Sequence, residues 1–191
     1  KPPIPSYRPW VARDFVYKPE PGPVTVDPAG KKVLIVSDSA EEGTNIEEMI
    51  HRFQEAFTGP VERIDLNAIK IKGGCLGCYR CGFDNQCIYT GKDDFIDFYN
   101  EKVKKADILI YAGAIRDRYL SATWKRFFDR RFFNTHIPTL INKQVAFLIS
   151  GPLGQDANLK EVLRAWMEFE KSNLTGIVTD EFGDSATIDE Q

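Results

Sequence analysis

Five short strand-like segments, four of them mainly apolar, separated by stretches with helical spacing, constrain this chain most. Val33-Leu34-Ile35-Val36 is continuously apolar, as a strand covered on both faces of a parallel sheet must be. Val61 to Leu66, Ile108 to Ala112, Val145 to Ile149 and Leu174 to Val178 read as four further strands. Between them, Ile46, Met49, Ile50, Phe53 and Phe57 recur at helical spacing behind a Thr44/Glu47 capping-box pattern and ahead of Gly59-Pro60. Asp93-Asp94 opens a second helix with Phe95, Phe98, Tyr99, Val103 and Ala106 on one face. Residues 122–134 make an aromatic, basic helix, and Leu159, Val162, Leu163, Trp166 and Phe169 mark a fourth. Alternation of this kind predicts an α/β fold: a doubly wound, five-stranded parallel sheet between helical layers, three layers in all (αβα).

Two segments depart from that rhythm. Residues 1–30 hold eight of the eleven prolines, so residues 1–31 form an extended, Pro-rich N-terminal arm. Tyr7, Trp10, Phe15 and Tyr17 are its expected docking points on its own domain or a neighbouring subunit. Residues 32–191 form the main domain. Its last helix is expected to begin near Thr187, close to where the sequence stops, leaving most of that helix out.

The second departure is a loop at 73–91 that holds every cysteine of the chain: Cys75, Cys78, Cys81 and Cys87, spaced C-x2-C-x2-C-x5-C. Four thiolates suit a [4Fe–4S] or [2Fe–2S] cluster, or a structural zinc ion. Zinc ribbons more often use two C-x2-C knuckles far apart, which puts iron–sulfur first. Buried free thiols and a redox disulfide are the plainer alternatives. Gly73, Gly74, Gly77 and Gly82 supply either backbone donors to such a cluster or simply tight turns.

A net charge of −3 gives no reason to expect nucleic acid or an acidic membrane surface as partner. No apolar run approaches the length of a membrane span, and the amino end has no apolar signal core, so a cytoplasmic protein is the expectation.

In a doubly wound sheet, ligands bind beyond the carboxyl ends of the strands. The loop Ser37 to Asn45 is hydroxyl-rich and leads into a helix whose backbone N–H groups suit a phosphate. It has neither the G-x-x-x-x-G-K-[ST] nor the G-x-G-x-x-G pattern. The loops at 112–121 and 150–154 mix small residues with Arg116, Arg118 and Tyr119, and small residues let a backbone approach a flat ring. No acid–base dyad is evident. His51 sits mid-helix facing solvent, His136 has no partner, and Lys125, Arg126, Arg130 and Arg131 read as a solvated or subunit-facing surface.

Taken together, these segments resemble the flavodoxin-like NAD(P)H-dependent FMN reductase superfamily, and its iron–sulfur flavoprotein branch in particular. The resemblance is carried by Ser37 to Asn45 in the place of an S-x-S-x-x-x-G-x-N phosphate loop, by Cys75 to Cys87 followed by Lys92-Asp93-Asp94-Phe95, by Lys105 to Ile110, and by Lys125 to Arg130. It implies FMN at the carboxyl edge of the sheet. Its phosphate would lie on Ser37, Ser39, Gly43, Thr44 and Asn45. Its ring would be flanked by Ala112, Gly113, Ala114, Ile115, Arg116, Arg118, Tyr119 and Ser121, and by Ser150, Gly151, Pro152 and Gly154. The branch further implies a [4Fe–4S] cluster on the four cysteines, assembly as a homodimer or homotetramer, and a redox partner such as ferredoxin or a pyridine nucleotide. An FMN-dependent oxidoreductase that passes electrons between FMN and the cluster is the leading expectation. A cluster-free NAD(P)H-dependent FMN or quinone reductase is the first alternative, and a zinc-stabilised interaction domain the second. Asp38, Glu41 and Glu42 depart from the family's loop, so a phosphate there leans on backbone donors and an arginine.

Overall fold

The computed structural model describes residues 15–191 except 21, 23, 24, 40, 117 and 136. Tyr7 and Trp10 of the arm, and His136, therefore lie outside the described residues.

Strands β1 (Val33–Ser37), β2 (Val61–Asp65), β3 (Ile108–Ala114), β4 (Gln144–Ser150) and β5 (Asn173–Thr179) pair in parallel in the order β2-β1-β3-β4-β5. The apolar runs of β1, β3 and β4 fall where the sequence places them because a strand paired on both sides and covered on both faces has no place for polar side chains; all of β1 is buried, whereas the edge strands β2 and β5 are partly exposed. Alternation along the strands sorts side chains between two cores. Val33, Ile35, Ile110, Ala112 and Leu148 pack with Ile46, Met49 and Ile50 of helix α1 (Asn45–Glu55). Leu34, Val36, Leu109, Tyr111, Val145, Phe147 and Ile149 face the opposite layer. That layer follows the cysteine loop, which carries a short turn, α2 (Cys81–Asp84). It is built from α3 (Phe95–Phe98), α4 (Ala122–Arg130) and α5 (Ala157–Phe169). Its centre is aromatic: Tyr111 meets Trp124, Phe127 and Phe128 edge to face at centroid distances of 5.6–6.0 Å. A last helix, α6 (Ser185–Glu190), does form, started by Asp184 and seated on the α1 side through Ile188. Among the described residues no helix is long and apolar enough to cross a membrane.

Local departures from the sequence reading have identifiable causes. Thr44 occupies the N-cap of α1 but makes no side-chain capping bond; its hydroxyl donates to Glu41 O instead. Glu47, the other half of the expected box, is taken by Arg63 at 2.5 Å. The helix that begins at Phe95 widens into a π-helical turn over Tyr99–Val103, where Lys104 N bonds Tyr99 O. The helix expected over 122–134 ends at Arg130 and tightens to a 3₁₀ turn, Arg131–Asn134.

Arg130 and Arg131 are not on a solvated surface; both are buried. Arg130 makes a two-pronged ion pair with Asp93 at 2.6 and 3.0 Å and stacks over the Tyr89 ring. Arg131 pairs with Glu170 and lies over Trp166. Burying a guanidinium is tolerable only with such partners. Asp93 does more than begin a helix. It also accepts Lys72 N at 3.0 Å, and Arg130 donates to Gly73 O, so one buried pair closes the neck of the cysteine loop.

Residues 15–20 of the arm lie on their own domain. Tyr17 is 2% exposed, its hydroxyl donates to Asp189, and its N–H donates to Asn45 Oδ1. Lys18 N reaches Ser185 Oγ and Glu20 N reaches Asp189 Oδ2.

Burial opposes the charge on Asp93, but Arg130 and the Lys72 N–H outweigh it and hold the carboxyl below its ordinary 3.8. A depressed carboxylate contributes stability that is present above the unfolded-state pKa and is lost as pH falls through the folded one. Asp93→Ala is therefore expected to lower unfolding free energy by about 3–5 kcal/mol at neutral pH. The gap to the parent protein should narrow below about pH 4, as followed by urea denaturation across that range.

Candidate functional site at the carboxyl edge of the sheet

The strand order reverses direction between β1 and β3, so the loops leaving these strands part and open a crevice between them. Here lies a cavity of about 550 Å³ lined by Asp38, Ser39, Glu41, Thr44, Ile46, Asn67, Ala114, Arg116 and Ser150. That volume is in the range of small-molecule pockets. A similar opening lies at the amino edge, around Lys31, Lys32, Gly59 and Lys105, and another beside α1, around Gly43, His51 and Arg63. Neither stands where loops from adjacent parallel strands diverge.

The amino end of α1 supplies the donors. The first N–H groups of a helix have no intrahelical acceptor. Here Glu48 N is the first of those groups to find one, at Thr44 O, and no side chain caps the end. Free N–H groups at the positive end of an eleven-residue helix suit an anion. Arg116 is the cation lining the cavity among the described residues. Asp38 lies opposite it. Burial pushes the Asp38 carboxyl above its ordinary value, while Ser121, Trp124 and, more weakly, Arg116 pull it back. Gly113 lies behind Asp38: a Cβ there would stand 2.6 Å from Trp124 Nε1 and 3.0 Å from Asp38 Oδ1, so only glycine fits.

Ser39, Thr44, Ala114, Arg116 and Ser150 of the expected set meet in this cavity. Others serve it from behind. Ser37 is fully buried and its hydroxyl accepts Ser39 N at 3.1 Å, shaping the loop. Ala112 and Gly113 are covered, and Ser121 caps α4 by accepting Thr123 N and Trp124 N. Ile115 packs against Gly151, where φ is +125°. Arg116 and Tyr119 bond backbone to backbone across a tight turn, and Arg118 within it has φ +65° and is exposed. Gly43 belongs to the neighbouring opening. Pro152 leads into a 3₁₀ turn, and Gly154 N donates to Glu181.

Asn45 is spent elsewhere. Its amide donates to Phe15 O and to Asp180 Oδ2, and its oxygen accepts Tyr17 N. Asp180, 1% exposed, also accepts Ser150 Oγ at 2.8 Å and Gly151 N at 2.7 Å. This one carboxylate ties the β1–α1 loop to the β4–α5 loop. Asp180 and Asn67 were absent from the sequence-derived set. Asn67 donates to Asp38 O at 2.6 Å and accepts from Thr123, bracing the loop from the β2 side. The available signal for each was a polar residue just past the end of a strand, beyond Thr179 for Asp180 and two past Asp65 for Asn67.

The cysteine loop stands apart from this cavity. Cys75, Cys78, Cys81 and Cys87 line one small void of about 20 Å³ with Leu76, Tyr79, Ile88, Arg130 and Phe133. Burial raises the Cys81 thiol, and charge on Cys87, Cys75 and Cys78 raises it further, so the four sulfurs are electrostatic neighbours. The void is about the size of one water, too small for a four-iron core as it stands. Among the described residues no three His, Cys, Asp or Glu side chains form a metal-ligand set. Of Gly73, Gly74, Gly77 and Gly82, only Gly77 has positive φ, +64°; Gly91, where the loop ends, has φ +70°.

Fold and crevice together define a flavodoxin-like αβα protein with an uncapped helix end opening into a crevice at its strand switch. The chain belongs to the NADPH-dependent FMN reductase family, whose family model matches residues 31–179, and is accordingly an FMN-dependent oxidoreductase. Solved structures share the fold. An azoreductase from Bacillus anthracis str. Sterne has TM-score 0.61 at 15% identity, over 84% of this chain and 93% of its own. An FMN-dependent NADH-azoreductase from B. anthracis str. Ames Ancestor, in complex with FMN, has TM-score 0.59 at 11% identity, over 84% and 92%. An NAD(P)H:quinone oxidoreductase from Methanothermobacter marburgensis has TM-score 0.52 at 16% identity, over 84% and 90%. No curated protein matches the chain in sequence.

Asp180→Ala removes the acceptor of three buried donors. Stability is expected to drop by about 3 kcal/mol in urea denaturation, with weaker flavin affinity in a fluorescence titration of the same protein.

Proposed function

We propose that the chain is a cluster-free, FMN-dependent reductase that takes electrons from NAD(P)H and delivers them to a quinone-like or azo acceptor. The observation that carries this reading is the uncapped amino end of α1, opening into the crevice between β1 and β3 in a chain of this family. The residues present fit FMN. The α1 N–H groups and Ser39 would hold its phosphate, and Arg116 would offset its charge. The small residues Ala114, Ser150 and Gly151 would leave the space its ring needs.

Bound FMN supplies hydride acceptance from a reduced nicotinamide and onward delivery of electrons. The chain's own work is binding and orientation. Gly113 leaves room for the Asp38 carboxyl and the Trp124 indole, Asp180 fixes two loops against each other, and the backbone pair of Arg116 and Tyr119 stands at the rim. Among the described residues no histidine lines the crevice, so proton delivery to an acceptor would fall to solvent or to Asp38.

NAD(P)H oxidation by the purified protein with added FMN and a soluble quinone tests the reading. Turnover that requires FMN is expected; a protein that binds no FMN would end it. Arg116→Ala should raise the FMN dissociation constant about tenfold, by fluorescence quenching.

A second reading, that the cysteine loop takes a cluster or a soft metal ion, is favoured by one observation: all four thiols line a single void. Metal analysis of anaerobically purified protein separates the two. Iron with equimolar sulfide that disappears in Cys78→Ser would establish the cluster, zinc alone would establish a structural ion, and neither is the result expected here.

A further inference from the structure

Asp38 is out of place in a cavity built to hold a phosphate. It follows directly on β1, between Ser37 and Ser39, and lines the same cavity as the amino end of α1. It cannot swing away freely: Asn67 grips its backbone carbonyl, and its Oδ1 lies over Gly113 beside the Trp124 indole. The groups facing it are few. Arg116 comes from the β3–α4 loop and Glu41 from its own loop; α1 offers Thr44 and Ile46, β4 offers Ser150, and α4 offers Ser121 and Trp124. Among the described residues, one cation therefore faces two carboxylates there, before any phosphate arrives.

Two anions at close range in a half-buried site cannot both stay charged cheaply. Either the phosphate is held weakly, or the carboxyl takes a proton. From this arrangement we infer that Asp38 is the affinity-determining residue of the flavin site: FMN binding takes up a proton at its carboxyl, so that the protein grips FMN at lower pH and loosens its hold as pH rises. This rests on the FMN reading of the crevice. The direction follows from linkage. A phosphate beside Asp38 raises its pKa further, and a ligand that raises the pKa of a group binds more weakly as pH climbs through the interval between the free and bound values. Burial already moves Asp38 upward before the ligand arrives, so the interval begins above that group's ordinary value. The phosphate's own second ionisation, near pH 6, works in the opposite sense and is common to any variant. Comparing variants at each pH cancels it.

The test is FMN affinity from about pH 5 to about pH 8 for the full chain and for Asp38→Asn and Glu41→Gln, by fluorescence quenching. The ratio of parent to Asp38→Asn dissociation constants should grow about tenfold across that range, with Asp38→Asn the tighter binder at the alkaline end. Glu41→Gln should keep the parent's pH dependence. Should Asp38→Asn fail to fold, calorimetry of the parent in two buffers of different ionisation enthalpy decides instead: near pH 7.5, where phosphate is a dianion, net proton uptake on binding is expected. A pH-independent ratio, weaker binding by Asp38→Asn at the alkaline end, or no proton uptake overturns the inference while leaving FMN in the crevice. Absence of FMN binding by parent and variants at every pH overturns the flavin assignment and this inference with it.

Discussion

The carboxylate of Asp180 holds the working edge of this protein in register. Side-chain and backbone donors from two different strand-end loops, Asn45, Ser150 and Gly151, converge on its two oxygens in a buried place. A buried carboxylate without such donors would be costly; with them it becomes a fastening. Asn45 carries the fastening outward to Phe15 and Tyr17, so that stretch of the arm, the start of α1 and the end of β4 are joined by one set of hydrogen bonds. The same bonds fix where the free N–H groups of α1 stand at the edge of the crevice.

A second buried carboxylate organises the other functional segment. Asp93 and Arg130 neutralise each other, and both also bond backbone at the neck of the cysteine loop. The result is a loop anchored at its base, while Tyr79 and Phe83 at its rim remain largely exposed. The crevice at the strand switch and the thiol void are thus fixed by separate buried carboxylates on the same scaffold.

Much of the scaffold is legible in the sequence because parallel strands buried on both faces announce themselves as unbroken apolar runs, as in Val33 to Val36 and Val145 to Ile149. The loop from Ser37 to Asn45 is legible because it must sit between the first such run and the next amphipathic stretch. What sequence spacing could not show are choices made by partners far along the chain. Arg130 and Arg131 look like surface charge until Asp93 and Glu170, each more than thirty residues away, claim them. Thr44 and Glu47 look like a capping box, but Arg63 competes for the glutamate. Asn45 looks like a phosphate ligand, yet its amide is satisfied by Asp180, 135 residues later, and by the arm. The four cysteines read as a cage; the structure gathers them around one void without giving them the geometry of a ligand set.

The central claim is that the amino end of α1, held by Asp180, is where an FMN phosphate docks. A crystal structure of the protein with FMN measures this directly. The account predicts phosphate oxygens within hydrogen-bond distance of the first backbone N–H groups of α1, with the ring lying toward Ala114 and Ser150. Flavin density among Cys75 to Cys87, with the α1 end facing only water, would contradict it.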